Sequence, residues 1–198
     1  MFPLSPDARL QAALDATTRR LLEATVRVRG PAGSSGSGVV WRRDGIVVTN
    51  AHVARHSRLV VELHDGSTHR ARLMARDDRR DVAVLQLERG GLTVPDFGDP
   101  ALLRPGALVL AAGYPFGHHP AVTVGVAHAA GPALGEPPRQ LLADIQLYPG
   151  NSGGPLADAR GRVIGVNAMI VSGLGVAIAR GEVDAVVAAL ARGRARAA

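Results

Sequence analysis

The sequence predicts an all-β chain of two six-stranded antiparallel β-barrels, with a helix at each end. Three observations point there. From residue 24 onward, short runs rich in Val, Ile, Leu and Thr alternate with Gly, Pro and Asp, the texture of strands joined by turns rather than of βαβ units. The runs fall into two sets of six on either side of a Pro- and Gly-containing connection at residues 99–106. Outside them, apolar side chains recur at helical spacing instead.

Taken in order, residues 1–23 form an N-terminal helical segment. Ser5 is a helix N-cap, Pro6 suits the first turn, and Asp7 favours the positive helix end. Leu10, Ala13, Leu14, Thr17 and Leu21 share one face, so the helix is expected to end near Glu23. Residues 24–98 form the first barrel, with strands expected at 25–29, 38–41, 46–49, 59–62, 68–75 and 82–86, and a short helical turn at 51–55. After the linker at 99–106, residues 107–180 form the second, with strands at 108–112, 122–130, 141–146, 155–157, 163–169 and 175–178. Residues 181–198 hold a closing helix, with Val183, Val186, Val187 and Leu190 on one face, and a basic tail expected to fray from Arg192.

Composition removes several chemistries. There is no cysteine, so no disulfide, thiol nucleophile or thiolate metal site. All 23 basic residues are arginine, which excludes a Ser–Lys dyad and a P-loop lysine. The net charge of +6 raises nucleic acid as a partner. The arginines are scattered, however, and aromatic residues amount to 3%, too few for base stacking; no specific nucleic-acid partner is expected. Residues 1–23 hold no apolar run long enough for a signal sequence or a membrane span. The expected location is therefore cytoplasmic, with an exported, periplasmic form that has lost its leader as the alternative.

One stretch concentrates chemistry: Pro149-Gly150-Asn151-Ser152-Gly153-Gly154-Pro155-Leu156. Glycines around a serine allow a sharp turn that aims backbone N–H groups at one point, as an oxyanion hole across Gly150, Asn151 and Ser152 requires. The same stretch satisfies the G-x-S-x-G elbow of α/β-hydrolases, where histidine follows serine. All seven histidines precede Ser152, so that reading fails on order. A subtilisin-like order would need Asp44, which sits in a turn, and a parallel α/β fold that this pattern lacks. What remains is the order His, Asp, Ser.

Two segments supply it. Thr49-Asn50-Ala51-His52-Val53 closes a β-branched strand, and Asp81-Val82-Ala83-Val84-Leu85 opens another. With Gly150-Asn151-Ser152-Gly153-Gly154-Pro155-Leu156 they resemble, in order and spacing, the HtrA/Deg family of trypsin-like serine proteases. Gly36-Ser37-Gly38, Gly113-Tyr114-Pro115-Phe116-Gly117 and Val122-Thr123-Val124-Gly125-Val126 support the likeness, which covers roughly residues 25–190. It implies a chymotrypsin-type fold holding the protease domain alone, without a PDZ domain. It also implies an ATP-independent serine endopeptidase acting on unfolded or exposed polypeptides, of the kind that serves protein quality control. The alternative, from another class, is a peptide-binding, chaperone-like protein with an idle cleft.

Roles follow. Ser152 Oγ is the nucleophile, His52 the general base and then acid, and Asp81 the group that orients the imidazole. Asp77 and Asp78 compete with Asp81 but lie in a charged turn. Family likeness places the primary specificity pocket at Gln146, Leu147, Met169 and Ala177. With Gln146 where an acid would select Arg or Lys, cleavage is expected after small or medium aliphatic residues. Asn151 stands where digestive relatives carry an Asp that pairs with a freshly cut N-terminus, so no such activation switch is expected. His52 and His56 have helical metal spacing but no third ligand, His118 and His119 are adjacent, and the glycines at 33–38 do not space as a dinucleotide loop; no metal and no cofactor are expected. The likeness also implies a homo-oligomer, a trimer built through Phe2 and Leu4, against which stands a monomer with the helix docked on its own barrel.

Overall fold

The computed structural model describes residues 6–130 and 139–196; Phe2 and Leu4 lie outside them. Helix α1 (Pro6–Glu23) is followed by six strands, β1 (Thr25–Arg29), β2 (Ser35–Arg42), β3 (Ile46–Thr49), β4 (Arg58–Glu62), β5 (Thr68–Asp77) and β6 (Val82–Leu87). They close antiparallel into one barrel in the order β1-β2-β3-β6-β5-β4. A second barrel, in the order β10-β11-β12-β9-β8-β7, is made of β7 (Leu108–Gly113), β8 (Ala121–Ala130), β9 (Gln140–Asp144), β10 (Pro155–Asp158), β11 (Val163–Val171) and β12 (Leu174–Ala179). Helix α2 (Arg180–Arg196) follows.

Strand alternation explains why the apolar runs are so dense. In β6, Ala83 and Leu85 fill the first barrel, while Val82 and Val84 point out of it into a further core. That core lies between the barrels, where Val39, Trp41 and Val48 of the first meet Leu110, Ala112 and Val166 of the second. A strand buried on both faces has no solvent side, so its sequence loses the polar half of the period-two pattern. The second barrel has its own interior around Leu141, Leu156 and Ile164.

Both helices seal the seam. Leu21 of α1 and Val183 and Val186 of α2 are buried in the inter-barrel core. Trp41 Nε1 donates to Asp184 Oδ1 at 3.0 Å, and its ring packs against Phe97 at a tilt of 55°, with centroids 4.6 Å apart. Of the face predicted for α1, Thr17 and Leu21 are buried, whereas Ala13 is exposed. No helix among the described residues is long and apolar enough to cross a membrane.

The structure departs from expectation at several element bounds; β5 runs on to Asp77 and β11 to Val171. Strand β2 begins at Ser35, because Ser35 and Gly36 pair with Arg29 and Val28, and pairing overrides the turn character of glycine and serine. Strand β9 ends at Asp144 rather than continuing to 146. Helix α2 continues through Arg196 instead of fraying at Arg192, since arginine and alanine favour the helix enough to carry Gly193.

Candidate active site

The first barrel presents a histidine gripped at two points. His52 follows β3 on a tight turn in which the N–H groups of Val53 and Ala54 donate to Asn50 O at 3.2 and 3.1 Å. Asp81 Oδ2 lies 2.8 Å from His52 Nδ1, and Asp81 Oδ1 accepts from the backbone N–H of His52 at 3.0 Å. The Asp81 carbonyl takes N–H donors from Ala51 at 3.2 Å and from Asn50 Nδ2 at 3.0 Å. One residue thus receives three successive positions of the histidine turn. It does so from a left-handed backbone, φ 55°, a conformation aspartate tolerates better than most residues.

The turn before Asp81 is itself braced. Asp77 accepts the N–H groups of Arg79 and Arg80, each at 3.0 Å, and pairs with the Arg80 guanidinium at 2.8 Å. The Arg80 backbone N–H first, then its guanidinium, hold the Asp77 carboxyl below its ordinary range. Arg80 also reaches Glu182 of α2 at 2.7 Å. Among the described residues neither Asp77 nor Asp78 forms a hydrogen bond or ion pair with His52; Asp78 pairs with Arg76 at 2.6 Å.

Across the seam stands the serine loop. The Pro149 carbonyl accepts from Phe116 N–H at 2.6 Å, and the Gly150 carbonyl accepts from Ser37 Oγ at 2.6 Å. In a trans peptide the N–H points opposite the carbonyl, so the Phe116 contact turns Gly150 N–H away from Phe116. That orientation needs Gly150 at φ +103°. The backbone N–H groups of Gly150 and Ser152 have no hydrogen-bond partner among the described residues, whereas Asn151 N–H donates to Tyr148 O at 2.9 Å. Two of the three expected oxyanion donors are free, and Asn151 is not one of them. Its side chain is buried with an unpartnered Oδ1.

Ser37, a residue of β2, ties this loop to the other barrel. Its Oγ also accepts from Tyr114 N–H at 2.8 Å, its N–H donates to Ser152 O at 2.8 Å, and its carbonyl accepts from Thr49 Oγ1 at 2.6 Å. It has no exposed surface. Gly153, φ +89°, packs so tightly against this hub that a Cβ would stand 2.1 Å from Ser37 O. Nothing in the sequence around Ser37 marks it as a linker, because the groups it joins are distant along the chain.

Ser152 Oγ donates to Ala168 O at 2.9 Å, and among the described residues no hydrogen bond joins it to His52. Beside it lies a cleft of about 300 Å³ lined by Leu147, Tyr148, Pro149, Ala168, Met169 and Ile170 together with Asn151 and Ser152. Of the four residues expected to form the specificity pocket, Leu147 and Met169 line this cleft and Gln146 and Ala177 do not. Gln146 is exposed because its neighbours Ile145 and Leu147 turn inward, and Ala177 is in the interior of the second barrel. Phe116 and Tyr148, unforeseen, stack at 5.6 Å beside the cleft.

Twin antiparallel barrels with an Asp-gripped histidine on one and a glycine-flanked serine on the other define a trypsin-like serine peptidase architecture. The family model of the trypsin-like peptidase domain matches residues 36–166, more than half of the chain, and the chain belongs to that family. Its relatives are of the HtrA/DegP type. It is 42% identical over 154 residues to the serine protease HhoB of Synechocystis, covering 73% of this chain and 37% of that protein. It is 41% identical over 142 residues to a "Probable periplasmic serine endoprotease DegP-like" of Pseudomonas putida, covering 70% of this chain and 30% of that one. The chain thus spans about a third of the length of these relatives. Among solved structures, the HtrA-type protease AlgW with tripeptide superposes with a TM-score of 0.80 at 32% identity, over 88% of this chain and 62% of that one. AlgW with decapeptide gives 0.79 at 28%, over 89% and 66%.

The relatives correct the expected compartment. Those of Pseudomonas putida and Marinomonas are named periplasmic, which points to an exported location and overturns the cytoplasmic one. The lack of an apolar run in residues 1–23 does not decide the compartment. A barrel core folds alike on either side of a membrane, so its sequence carries no compartment signal.

Proposed function

We propose that this chain hydrolyses peptide bonds of exposed or unfolded polypeptide by acyl transfer through Ser152. His52 Nε2 takes the Ser152 proton as Oγ attacks the carbonyl, and then gives that proton to the departing amine. Water, deprotonated by the same imidazole, releases the acyl group. Asp81 fixes the tautomer and stabilises the imidazolium. The N–H groups of Gly150 and Ser152 bind the oxyanion. On this reading turnover is ATP-independent and serves protein quality control outside the cytoplasm, as the likeness to HtrA/DegP relatives implies. The cleft lining carries no charged side chain, and it fits a small or medium aliphatic residue on the acyl side.

The observation that carries this reading is the double grip of Asp81 on His52 beside a serine loop with two free N–H donors. Covalent labelling by a peptidyl phosphonate at Ser152, absent in Ser152→Ala, tests it; an unlabelled wild-type serine at neutral pH refutes it. One observation favours a second reading. Ser152 Oγ rests on Ala168 O rather than on His52, as a latent, peptide-binding cleft would have it. In the peptidase reading the hydroxyl swings to His52 by a rotation about χ1 when peptide enters. If Ser152→Ala loses casein degradation the peptidase reading stands; if wild type binds casein, protects it from aggregation and never cuts it, the second does. Assembly as a monomer or as a trimer, both compatible with the reading, is distinguished by analytical ultracentrifugation.

A further inference from the structure

The outer face of the first barrel carries charge that the peptidase reading does not use. A groove of about 1020 Å³ there is lined by Arg27 and Arg29 of β1, Arg58 of β4, and Arg70 and Arg72 of β5, with Glu88 the one acidic side chain in the lining. Arg58 and Arg72 stand directly opposite one another in the antiparallel ladder, with Arg70 two positions along. Like charges so placed repel. Glu62 partly answers Arg27 and Arg29, each at 3.6 Å. Arg58, Arg70 and Arg72 form no ion pair among the described residues. Among the described residues the fold neutralises that concentration of guanidinium only in part.

The groove connects to the reacting centre. It opens at Ser34 and Ser35, and the next residue, Gly36, lies against both barrels' reactive segments. A Cβ on Gly36 would stand 2.7 Å from the Val53 side chain, next to His52, and 3.2 Å from Ser152 O. Direction follows from the chemistry. The departing amine takes its proton from His52, so the leaving portion of a bound peptide passes His52 and Val53, over Gly36. The acyl portion lies on the opposite side, in the cleft of Leu147 and Met169. An extended chain advances about 3.3 Å per residue, so a few residues beyond the scissile bond reach Ser35 and the arginines.

We propose that this groove receives acidic side chains on the leaving-group side of polypeptide substrates, making Asp and Glu there a selected feature. The proposal rests on the peptidase reading of Ser152. Guanidinium forks bind carboxylates bidentately, and an open, solvated groove lets them select by charge without burying it.

The test uses matched quenched peptides with one aliphatic acyl side and either acidic, neutral or basic residues two to five positions after the cleaved bond. At low salt the acidic peptide is expected to show a kcat/KM about tenfold above the neutral one, mostly through KM, falling to about twofold in 0.5 M NaCl. Combining Arg58→Gln, Arg70→Gln and Arg72→Gln brings the ratio to about one while neutral-peptide cleavage is unchanged; the three corresponding Lys substitutions restore most of it. Relieving the Arg58–Arg72 opposition leaves the melting temperature level or raised. Wild-type enzyme that is labelled at Ser152 and cuts the neutral peptide, yet shows no acidic preference, overturns the groove and leaves the peptidase reading standing. Enzyme that neither labels nor cuts overturns both. A triple Gln variant that melts lower and loses neutral-peptide activity marks the arginines as structural and also refutes the proposal.

Discussion

Removing one buried hydroxyl tests whether the two barrels share a single serine loop. In Ser37→Ala the methyl fits the site, but Gly150 O loses its 2.6 Å donor and Tyr114 N–H its 2.8 Å acceptor. Each orphaned buried group costs about 1–3 kcal/mol, so a central figure is about 4 kcal/mol for the pair. If that cost falls on the orientation of the 150–151 peptide, activity drops by about 10³-fold at about 1.36 kcal/mol per decade. If it falls on the fold, the melting temperature drops by about 8–16 °C instead. The serine loop is the expected recipient, because the first barrel keeps its own ladder around Ser37 while Gly150 O has no other donor among the described residues. The assay pairs kcat and KM on a quenched peptide with thermal denaturation and the rate of phosphonate labelling. The expected result is a fall in kcat and labelling with KM and melting temperature little changed. Wild-type kcat/KM within twofold, with an unchanged melting temperature, would refute the reasoning.

Other perturbations follow from the same contacts. Asp81→Asn keeps a residue that tolerates the left-handed backbone but loses the carboxylate on His52 Nδ1, so kcat is expected to fall by about 10⁴-fold; steady-state kinetics on folded protein checks it. Gly153→Ala places a methyl 2.1 Å from Ser37 O at φ +89°, and both activity and melting temperature should collapse together. Because the Asp77 carboxyl titrates below its ordinary 3.8 when folded, its stabilising contribution is complete above that value and is lost as pH falls through the lowered one. The difference in melting temperature between wild type and Asp77→Asn should therefore be full at neutral pH and shrink as pH falls below 3.8. Asp184→Ala orphans the Trp41 indole N–H, for which about 1 kcal/mol of stability and a shift in tryptophan emission are expected.

The barrels were legible because their strands are β-branched and separated by Gly, Pro or Asp. Strands β1 and β3 have the predicted bounds, 25–29 and 46–49. Where glycine and serine themselves enter a strand, as at the start of β2, composition signals a turn and only the partner strand decides. His52 and Asp81 could be picked out because each sits at the end of a dense apolar strand, where a polar side chain needs a reason. The pocket was less legible. Ala177 faces the interior of the second barrel through strand alternation, which a shift of one residue reverses. Gln146 lies past the end of β9, exposed between the inward-turned Ile145 and Leu147. Ser37 escaped because its partners lie 113 and 77 residues away, and nothing local to β2 announces them. The resting hydrogen bond of Ser152 to Ala168 O depends on a single side-chain rotation, which no pattern encodes.

Helix α2 comes last in chain order, yet it touches the earlier half of the molecule: Glu182 meets Arg80, Asp184 meets Trp41, and Val183 and Val186 are buried with Val39 and Val82. During synthesis both β-cans can therefore form before the helix that covers their seam exists. The buried contacts of Val183 and Val186 with Val39 and Val82 wait for residues 182–186 to leave the ribosome, so the seam is closed only after both cans have been made.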